Sequence, residues 1–473
     1  MAMAAASLCA CALAPAQEPA AFAGCVAALR GALPRHPEVR AETFDTYARA
    51  AQDLRPVIRA ATESQPEFKL PVWDYIARLV DAQRIADGQT VLAEQAQALR
   101  TIAARHGVDA ATAVAVFGVE TDYGHVAGRY PVVDATLSRA CLDLKSRERE
   151  RHFYAALWLL QQGLVQPETF RGSWAGAFGM TQFMPGTFVA FMDDGDASGT
   201  VDITASAPDA LATTARYIAS LGWSDGLRWG VEVTPPTGAA RELIAAEREH
   251  ACLGGGDAVG KCRSVEQWAA LGVVPLGASS ATAAPSLPDG TRAALLAPGG
   301  ADGPAWLVTR NYQAIWQYNR ADTYGLAIGL LSDALRGEPP MRTAWPTDDV
   351  GLGRVVMRDL QQRLVQLGHA EVIVDGYDGP RTQEAIRAEE RRLGWPETGR
   401  AGAKIVRALK PQPEPPREPE AVTPSRPASA PGPATDEPAS PQTPEAPAAP
   451  ASGPEEPSAP PAVPAPAASG ASE

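Results

Sequence analysis

Apolar residues recur at intervals of three and four along much of residues 20–225, for example over 72–80 and 91–104. This spacing places apolar side chains on one side of an α-helix, so it predicts a series of amphipathic helices. Residues 228–310 instead combine many Gly and Pro residues with short apolar segments. They predict a smaller, partly β-structured region, after which helical spacing returns at 323–335.

A linker marked by Pro339-Pro340 and Trp345-Pro346 follows, and residues 352–410 are predicted to form helix, turn, helix, turn, helix. Residues 411–473 hold 20 prolines, 15 alanines and no aromatic residue, so they cannot bury enough apolar surface to fold. We therefore expect a mainly α protein with a large domain over 17–345, a small one over 352–410 and a disordered tail.

Charge excludes two classes of protein. The 473 residues carry a net charge of −13, of which the tail supplies −7 with nine acidic residues and two arginines. Basic residues form no cluster, which argues against a nucleic-acid partner. No run of 18 apolar residues exists, so no transmembrane helix is expected.

The N-terminal residues 1–16 form a short apolar run that ends in Ala14-Pro15-Ala16, a pattern typical of signal-peptide cleavage. An ordinary Ala-rich helix start is the alternative interpretation. Leu8-Cys9-Ala10-Cys11 weakly resembles a lipoprotein cleavage box. We predict an exported, periplasmic protein and do not expect a lipid anchor.

Four cysteines lie outside this segment, and their even number is compatible with disulfides. Cys252 and Cys262 flank a Gly-rich loop that a disulfide closes easily, and by elimination Cys25 would pair with Cys141. A zinc site is the alternative, but no C-x-x-C and no histidine cluster accompany these thiols. Disulfides are typical of exported proteins.

The first stretch with candidate chemistry is Val114-Ala-Val-Phe-Gly-Val-Glu120-Thr-Asp-Tyr-Gly124. On a helix that begins after Asp109, Glu120 shares its side with Val116 and Phe117. An apolar environment raises the pKa of a carboxyl group and keeps it protonated, as a glycosidic general acid requires. Judged by helix position alone, however, a solvated glutamate at a helix end is the better interpretation.

A second stretch, from Arg171 to Thr187, is rich in glycine and aromatic residues and contains the neutral polar residues Ser173 and Gln182. Such groups suit hydrogen bonds to sugar hydroxyls and N-acetyl groups. A tight packing turn in which Gln182 binds backbone groups is an equally good interpretation.

A third stretch, residues 194–202, fits the early positions of a calcium-binding EF-hand loop. Position 12 would be Ala205, so the bidentate carboxylate is missing, and the alternatives are a weak structural calcium site or a plain polar turn. The candidate ligands are Asp194, Asp196, Ser198, the Thr200 carbonyl and Asp202.

Several motifs occur in a characteristic order over about 300 residues. They are Gln65-Pro-Glu-Phe, Gly118-Val-Glu-Thr-Asp-Tyr-Gly, Asp134-Ala-Thr-Leu-Ser, Gly172-Ser-Trp-Ala-Gly-Ala-Phe-Gly-Met-Thr-Gln-Phe-Met-Pro and the pair Tyr318 and Tyr324. In combination they resemble the B-type lytic murein transglycosylases, glycoside hydrolase family 103. The resemblance reverses the interpretation of Glu120 in favour of a catalytic carboxyl group.

The resemblance implies a lysozyme-like, mainly helical domain with a small β-containing lobe. Such enzymes cleave the β-1,4 bond between N-acetylmuramic acid and N-acetylglucosamine without adding water and leave a 1,6-anhydro end. One carboxyl group then suffices as acid and as base, so Glu120 needs neither a second carboxylate nor a cofactor. It also implies that Ser173 and Gln182 lie near the carboxyl group and substrate, and that Tyr217, Tyr318 and Tyr324 line the cleft. The family's arginine pair cannot be assigned within residues 139–151.

Residues 352–410 resemble the small three-helix peptidoglycan-binding domain, through Leu360-Gln, Asp375-Gly and Thr398-Gly. The implied partner is the glycan of the cell wall, and a module that merely packs on the catalytic domain is the alternative. Because the proposed catalytic residues all precede residue 325, we expect loss of 352–473 to spare turnover of short soluble glycans.

Two other functions remain open from the sequence. A muramidase-type hydrolase would need a water-activating carboxylate, for which Asp122 and Asp134 are the nearby candidates. A catalytically silent wall-binding protein is the alternative from another class.

Overall fold

The computed structural model describes residues 17–63, 65, 69–126, 128–243, 252–253, 262–276 and 286–409. The predicted signal segment 1–16, the predicted tail 411–473 and residues 66–68 of the Gln65-Pro-Glu-Phe motif lie outside the described residues.

Helices dominate the large domain. Those of its first half are α1 Gln17–Ala32, α2 Ala41–Ala48, α3 Arg55–Glu63, α4 Val72–Leu79, α5 Ala82–Glu94, α6 Ala96–His106, α7 Ala110–Thr121, α8 Val132–Leu142 and α9 Arg147–Gln161. Those of its second half are α10 Pro185–Phe191, α11 Ala207–Ser220, α12 Gly238–Glu242, α13 Val265–Ala270, α14 Arg310–Asn319 and α15 Asp322–Leu335. The predicted mainly α fold is confirmed.

The predicted β region is a small antiparallel sheet. Its strands follow the order β3-β6-β5-β4, with β3 Gly230–Val233, β4 Arg263–Ser264, β5 Arg292–Leu296 and β6 Ala305–Val308. The central strand β6 is buried along its whole length, which explains its uninterrupted apolar sequence. A separate pair of short strands, β1 Tyr130–Pro131 and β2 Arg171–Gly172, joins the starts of two of the sequence motifs.

The centre of the large domain is α7, which is buried over almost its whole length and packs mainly against α15. Its apolar residues do not form one stripe, because neighbouring helices cover it on several sides. Asp109 caps the helix, since its carboxylate accepts the backbone N–H of Thr112 at 3.1 Å. Glu120 is the penultimate residue of this helix.

Two disulfides are present. Cys25 in α1 is joined to Cys141 in α8, with the Cα atoms 5.7 Å apart, and Cys252 is joined to Cys262 with the Cα atoms 5.9 Å apart. Within the described part of the chain, no single helix is long and apolar enough to cross a membrane, although the pair α6 and α7, bent by 111°, meets that criterion when joined.

The C-terminal module contains α16 Arg354–Gln366, α17 Pro380–Arg392 and α18 Ala403–Leu409 around a small apolar core. Its linker lies directly on the large domain: a Cβ atom at Gly351 would be 2.9 Å from the Asp74 carboxylate, and one at Gly353 2.9 Å from Asp81. Ion pairs add to this contact, including Arg78 with Asp378 at 2.7 Å. The module is therefore docked on the large domain and does not merely follow it in the chain.

Candidate active site

Glu120 lies half-buried in the last turn of α7, where a tyrosine from α15 fixes its carboxyl group. Tyr324 donates its hydroxyl to Glu120 Oε1 at 2.6 Å. The Tyr324 side chain is almost fully buried. Burial, and then the neighbouring Glu120 charge, raise the pKa of Tyr324 well above 10, so that it stays a neutral donor.

The other two predicted tyrosines stand next to this pair. Tyr318 stacks on Tyr324 with ring centroids 6.2 Å apart, and Tyr217 meets Tyr318 edge-on at 5.4 Å. Tyr318 also donates its hydroxyl to the carbonyl oxygen of Thr181 at 2.7 Å. The three tyrosines thus form one aromatic wall that leads away from Glu120.

Gln182 and Ser173 stabilise the turn that bears them. The Gln182 backbone has a φ of 52°, and its side-chain amide donates to the Gly179 carbonyl at 2.9 Å. Ser173 Oγ accepts the backbone N–H groups of Ala175 and Ala177 at 3.3 and 3.2 Å. These contacts match the packing-turn interpretation, although Gln182 also reaches the cleft described below.

Two hydrogen bonds hold this turn against α7 and the aromatic wall. The Thr121 hydroxyl, one residue after Glu120, donates to the carbonyl of Met180, and Tyr318 binds the next carbonyl, of Thr181. Met180 contributes to both large apolar cores. The position of Gln182 relative to Glu120 is therefore fixed through the backbone of the two residues that precede Gln182.

An open cleft of about 720 Å³ is bordered by two tyrosines of the aromatic wall, Tyr217 and Tyr318, and by several basic residues, whereas the almost fully buried Tyr324 is absent from its described lining. It is lined by Gln182, Tyr217, Tyr318, the single acidic residue Glu148 among the described lining residues, and the arginines Arg139, Arg147, Arg151 and Arg320. Four guanidinium groups against one carboxylate suit a substrate that bears anionic groups.

Sequence reasoning left these arginines unassigned. Arg139 immediately follows the Asp134-Ala-Thr-Leu-Ser motif, which was the available signal. Its guanidinium reaches the Ser173 turn, at 3.3 Å from the Ala175 carbonyl. Burial, and then the neighbouring Arg149, lower the pKa of Arg139.

Both candidate carboxylates for a hydrolase are engaged elsewhere. Asp122 is buried and pairs with Arg84 at 3.1 Å and with Arg354 at 2.7 Å. Asp134 is also buried, which raises its pKa, and it accepts the backbone N–H of Gln52. Neither is placed as an ionised base that activates water beside Glu120.

The acidic loop brings together three carboxylate side chains, two of which belong to the predicted calcium ligands. Carboxylate oxygens of Asp194, Asp196 and Asp209 lie within 4.8 Å of one another. The third carboxylate comes from Asp209 in the first turn of α11. The EF-hand pattern had suggested that an acidic ligand was missing, because its last position is Ala205. Sequence spacing could not reveal Asp209, because the position lies beyond the EF-hand loop.

The remaining predicted ligands serve the loop itself. Asp202 Oδ1 accepts the backbone N–H of Thr204 at 2.8 Å, and the Ser198 hydroxyl donates to the Thr200 carbonyl at 3.1 Å. Three clustered carboxylates are hard oxygen donors that fit Ca²⁺. Asp194, Asp196 and Asp209 also accept backbone N–H groups of this loop, so loop contacts do not separate the two sets and the predicted ligands Asp202, Ser198 and Thr200 stay a prediction.

A mainly helical domain with one tyrosine-held carboxyl group at the end of a buried helix defines the lysozyme-like class of glycan-cleaving enzymes. The family model described as Transglycosylase SLT domain matches residues 21–333, and a model described as a peptidoglycan binding domain matches residues 356–409. The chain belongs to the Transglycosylase SLT domain family.

Known proteins agree with this assignment. SltB3 from Pseudomonas aeruginosa, solved with NAG-NAM-pentapeptide and with NAG-anhNAM-pentapeptide, is 35% identical, with a TM-score of 0.59 over 82% of this chain and 99% of SltB3. The membrane-bound lytic murein transglycosylase B of Escherichia coli is 24% identical over 63% of this chain and 75% of that protein. Slt35 of E. coli, solved with calcium, is 21% identical, with a TM-score of 0.54 over 66% of this chain and 92% of Slt35, and shares the fold.

The family recognised from the motifs and its lysozyme-like fold are thereby confirmed, as is the enzyme class, a lytic transglycosylase.

Proposed function

We propose that this lytic transglycosylase cleaves the β-1,4 bond between N-acetylmuramic acid and N-acetylglucosamine with Glu120 as its one acid and base. The observation that carries the proposal is the 2.6 Å hydrogen bond from Tyr324 to Glu120, which orients a single carboxyl group at the C-terminal end of a buried helix. The engagement of Asp122 with two arginines supports it further.

The reaction needs two proton transfers at one site. Protonated Glu120 gives its proton to the glycosidic oxygen while the bond from that oxygen to the muramyl anomeric carbon breaks. The Glu120 carboxylate then takes the proton of the muramyl 6-hydroxyl as its oxygen bonds to the same carbon. The product carries a 1,6-anhydro ring, Glu120 is again protonated, and no water is consumed.

The cleft supplies the binding groups for a glycan with anionic substituents. Tyr217 and Tyr318 offer aromatic surface to a sugar ring, and Gln182 offers an amide at its edge. Arg139 and Arg151 suit the carboxylates of a lactyl group or a stem peptide. Ser173 acts by shaping the turn that these groups border.

The solved complexes of SltB3 with NAG-NAM-pentapeptide and NAG-anhNAM-pentapeptide support this choice of substrate and product. We also propose that the C-terminal module binds peptidoglycan and keeps the enzyme close to its insoluble substrate. Export to the periplasm is proposed because two disulfides are present and the substrate lies outside the cytoplasm.

A structural calcium ion is proposed for the acidic loop, held by Asp194, Asp196 and Asp209. The ion would neutralise three carboxylates and fix the start of α11. Its role would be structural, because the proposed chemistry at Glu120 uses no metal.

The decisive experiment is mass spectrometry of muropeptides released from purified sacculi by the full chain. Muramyl ends that are lighter than reducing ends by one water support the proposal. Reducing ends would identify a hydrolase, and sacculi that bind the protein but release nothing would identify a silent wall-binding protein.

A further inference from the structure

Asp122, two residues after Glu120, lies in a buried ion network that extends into the C-terminal module. Arg84 of α5 binds Asp122 Oδ1 at 3.1 Å, and Arg354, the first residue of α16, binds Asp122 Oδ2 at 2.7 Å. Arg354 also donates to Asp81 at 3.1 Å. These four charged residues are each 5–7% exposed, and their formal charges cancel.

A second group from the module reaches the same carboxylate. Tyr377 donates its hydroxyl to Asp122 Oδ2 at 3.2 Å. One oxygen of Asp122 is thus held by the large domain and the other by two residues of the module. Removal of one partner from a buried ion pair of this kind strongly destabilises the fold, because the remaining charge has no water to solvate it.

The backbone that Asp122 controls is the chain reversal immediately after Glu120. Asp122 and Tyr123 both have positive φ values, 52° and 57°, a left-handed conformation that is sterically unfavourable for a non-glycine residue. Tyr123 is held in this turn by donating its hydroxyl to the Arg84 carbonyl at 2.9 Å. The strained turn therefore depends on the residues that surround Asp122.

We propose that Arg354 is a positioning residue for Glu120: by binding Asp122 it fixes the last turn of the catalytic helix, so that the docked module contributes to the rate of cleavage. This inference rests on the proposed role of Glu120. It replaces the expectation from the sequence that the module serves only to hold the enzyme on its substrate.

A docked module can affect cleavage either by tethering the enzyme to its substrate or by positioning the catalytic group. A tether raises the local concentration of substrate and changes the apparent KM on sacculi, but leaves kcat on short soluble glycans unchanged. A positioning residue changes kcat on short glycans, because a small displacement of the catalytic carboxyl group is enough to slow proton transfer.

The test compares full-length variants on a soluble NAG-NAM tetrasaccharide that carries stem peptides. Arg354→Gln removes the charge and is expected to lower kcat about tenfold or more, with KM within about threefold of the wild type. Arg354→Lys restores the charge but cannot bind both Asp81 and Asp122 in the same way, so it should recover part of kcat. Binding of both variants to sacculi should remain normal.

Arg78→Gln is the matched control, because it removes the ion pair with Asp378 in the same contact without touching Asp122. It should leave kcat on the soluble glycan unchanged. Equal losses of kcat in Arg78→Gln and Arg354→Gln would mean that any weakening of the contact between the domains slows cleavage, and would overturn the proposal. A normal kcat in Arg354→Gln would also overturn it.

If Arg354→Gln does not fold, Tyr377→Phe decides the question, since it removes one hydroxyl group and keeps the ion pairs. A kcat lowered about two- to fivefold at unchanged KM supports positioning, and an unchanged kcat contradicts it. A wild-type enzyme that yields no anhydro products would instead refute the proposed function, so the two failures are distinguishable.

Discussion

Replacing Glu120 by Gln isolates proton transfer from every other contribution of this side chain. The amide has almost the same shape, and its oxygen can still accept the Tyr324 hydroxyl that now lies 2.6 Å from Oε1. The substitution replaces a carboxyl acceptor by a neutral amide oxygen in this hydrogen bond. It should therefore lower the free energy of unfolding by less than about 2 kcal/mol. Folding and glycan binding should therefore persist.

The loss of activity is expected to be large because the same carboxyl group serves both steps. General acid or base catalysis contributes about 10²–10⁴-fold to a single step. With both steps affected, kcat should fall by about 10³-fold or more, equivalent to at least about 4 kcal/mol of transition-state stabilisation.

Glu120→Asp tests the role of the hydrogen bond separately. Removing one methylene withdraws the carboxyl group by about 1.5 Å. The 2.6 Å contact with Tyr324 then opens to about 4 Å, beyond hydrogen-bonding range. The acid is retained but misplaced, so kcat should fall about 10²-fold, less than in the Gln variant.

The assay is the initial rate of anhydro-product formation from soluble peptidoglycan fragments, followed by chromatography, with circular dichroism and sacculus binding as checks on folding. Tyr324→Phe provides the comparison in which the carboxyl group is unchanged and only its partner is lost. A Glu120→Gln enzyme that keeps more than about a tenth of wild-type kcat would refute the assignment of Glu120 as the acid and base.

Three further outcomes are expected. Replacing Cys25 and Cys141 together by Ala should lower the free energy of unfolding by roughly 3–5 kcal/mol, because the disulfide closes a loop with a sequence separation of 116, and an unchanged melting temperature would contradict this. Calcium at a few millimolar should raise the melting temperature, with a gain of under about 2 kcal/mol in the free energy of unfolding. Asp209→Asn should abolish this rise without affecting kcat. Loss of activity on chelation would argue against a structural role. Burial, and then Arg151, lower the pKa of His152 to about 4, while its Nδ1 accepts the Gly186 amide. The stability this group provides is complete above pH 6.5, the pKa of an unfolded histidine, and is lost as pH falls towards 4, by up to about 3 kcal/mol; urea unfolding of His152→Gln should lack that part of the pH dependence.

The helical architecture was predictable because its signals are local. Spacings of three and four mark the amphipathic helices, and Asp109 marks the start of α7. The sheet was predictable only as a region, since the pairing of Leu295 with Leu307 depends on contacts between strands that no local pattern encodes.

The motif predicted Glu120 as the catalytic carboxyl group, and the family resemblance predicted nearby residues such as Tyr324, but neither predicted the contacts that these residues make. Tyr324 lies 204 residues from Glu120, and only folding brings its hydroxyl to the carboxylate. The family resemblance implied that Ser173 lies near the substrate, which stays a prediction; its oxygen accepts two backbone N–H groups, because a short hydroxyl side chain competes readily for local donors. Asp209 lies beyond the spacing of the EF-hand loop, and Arg139 directly follows its motif but begins a stretch in which the family's arginines could not be assigned.

The ion network at Asp122 limits how this enzyme can be re-engineered by exchanging modules. Fusing residues 17–345 to a foreign wall-binding domain would remove Arg354 and Tyr377 and expose a surface that includes Asp74, Asp81 and Asp122. In such a chimera Asp81 and Asp122 would keep Arg84 but lose Arg354, and Asp74 would lose Arg400. A functional chimera needs a guanidinium group that binds Asp122. The two domains should therefore be transferred together, with the glycine linker that contacts the large domain.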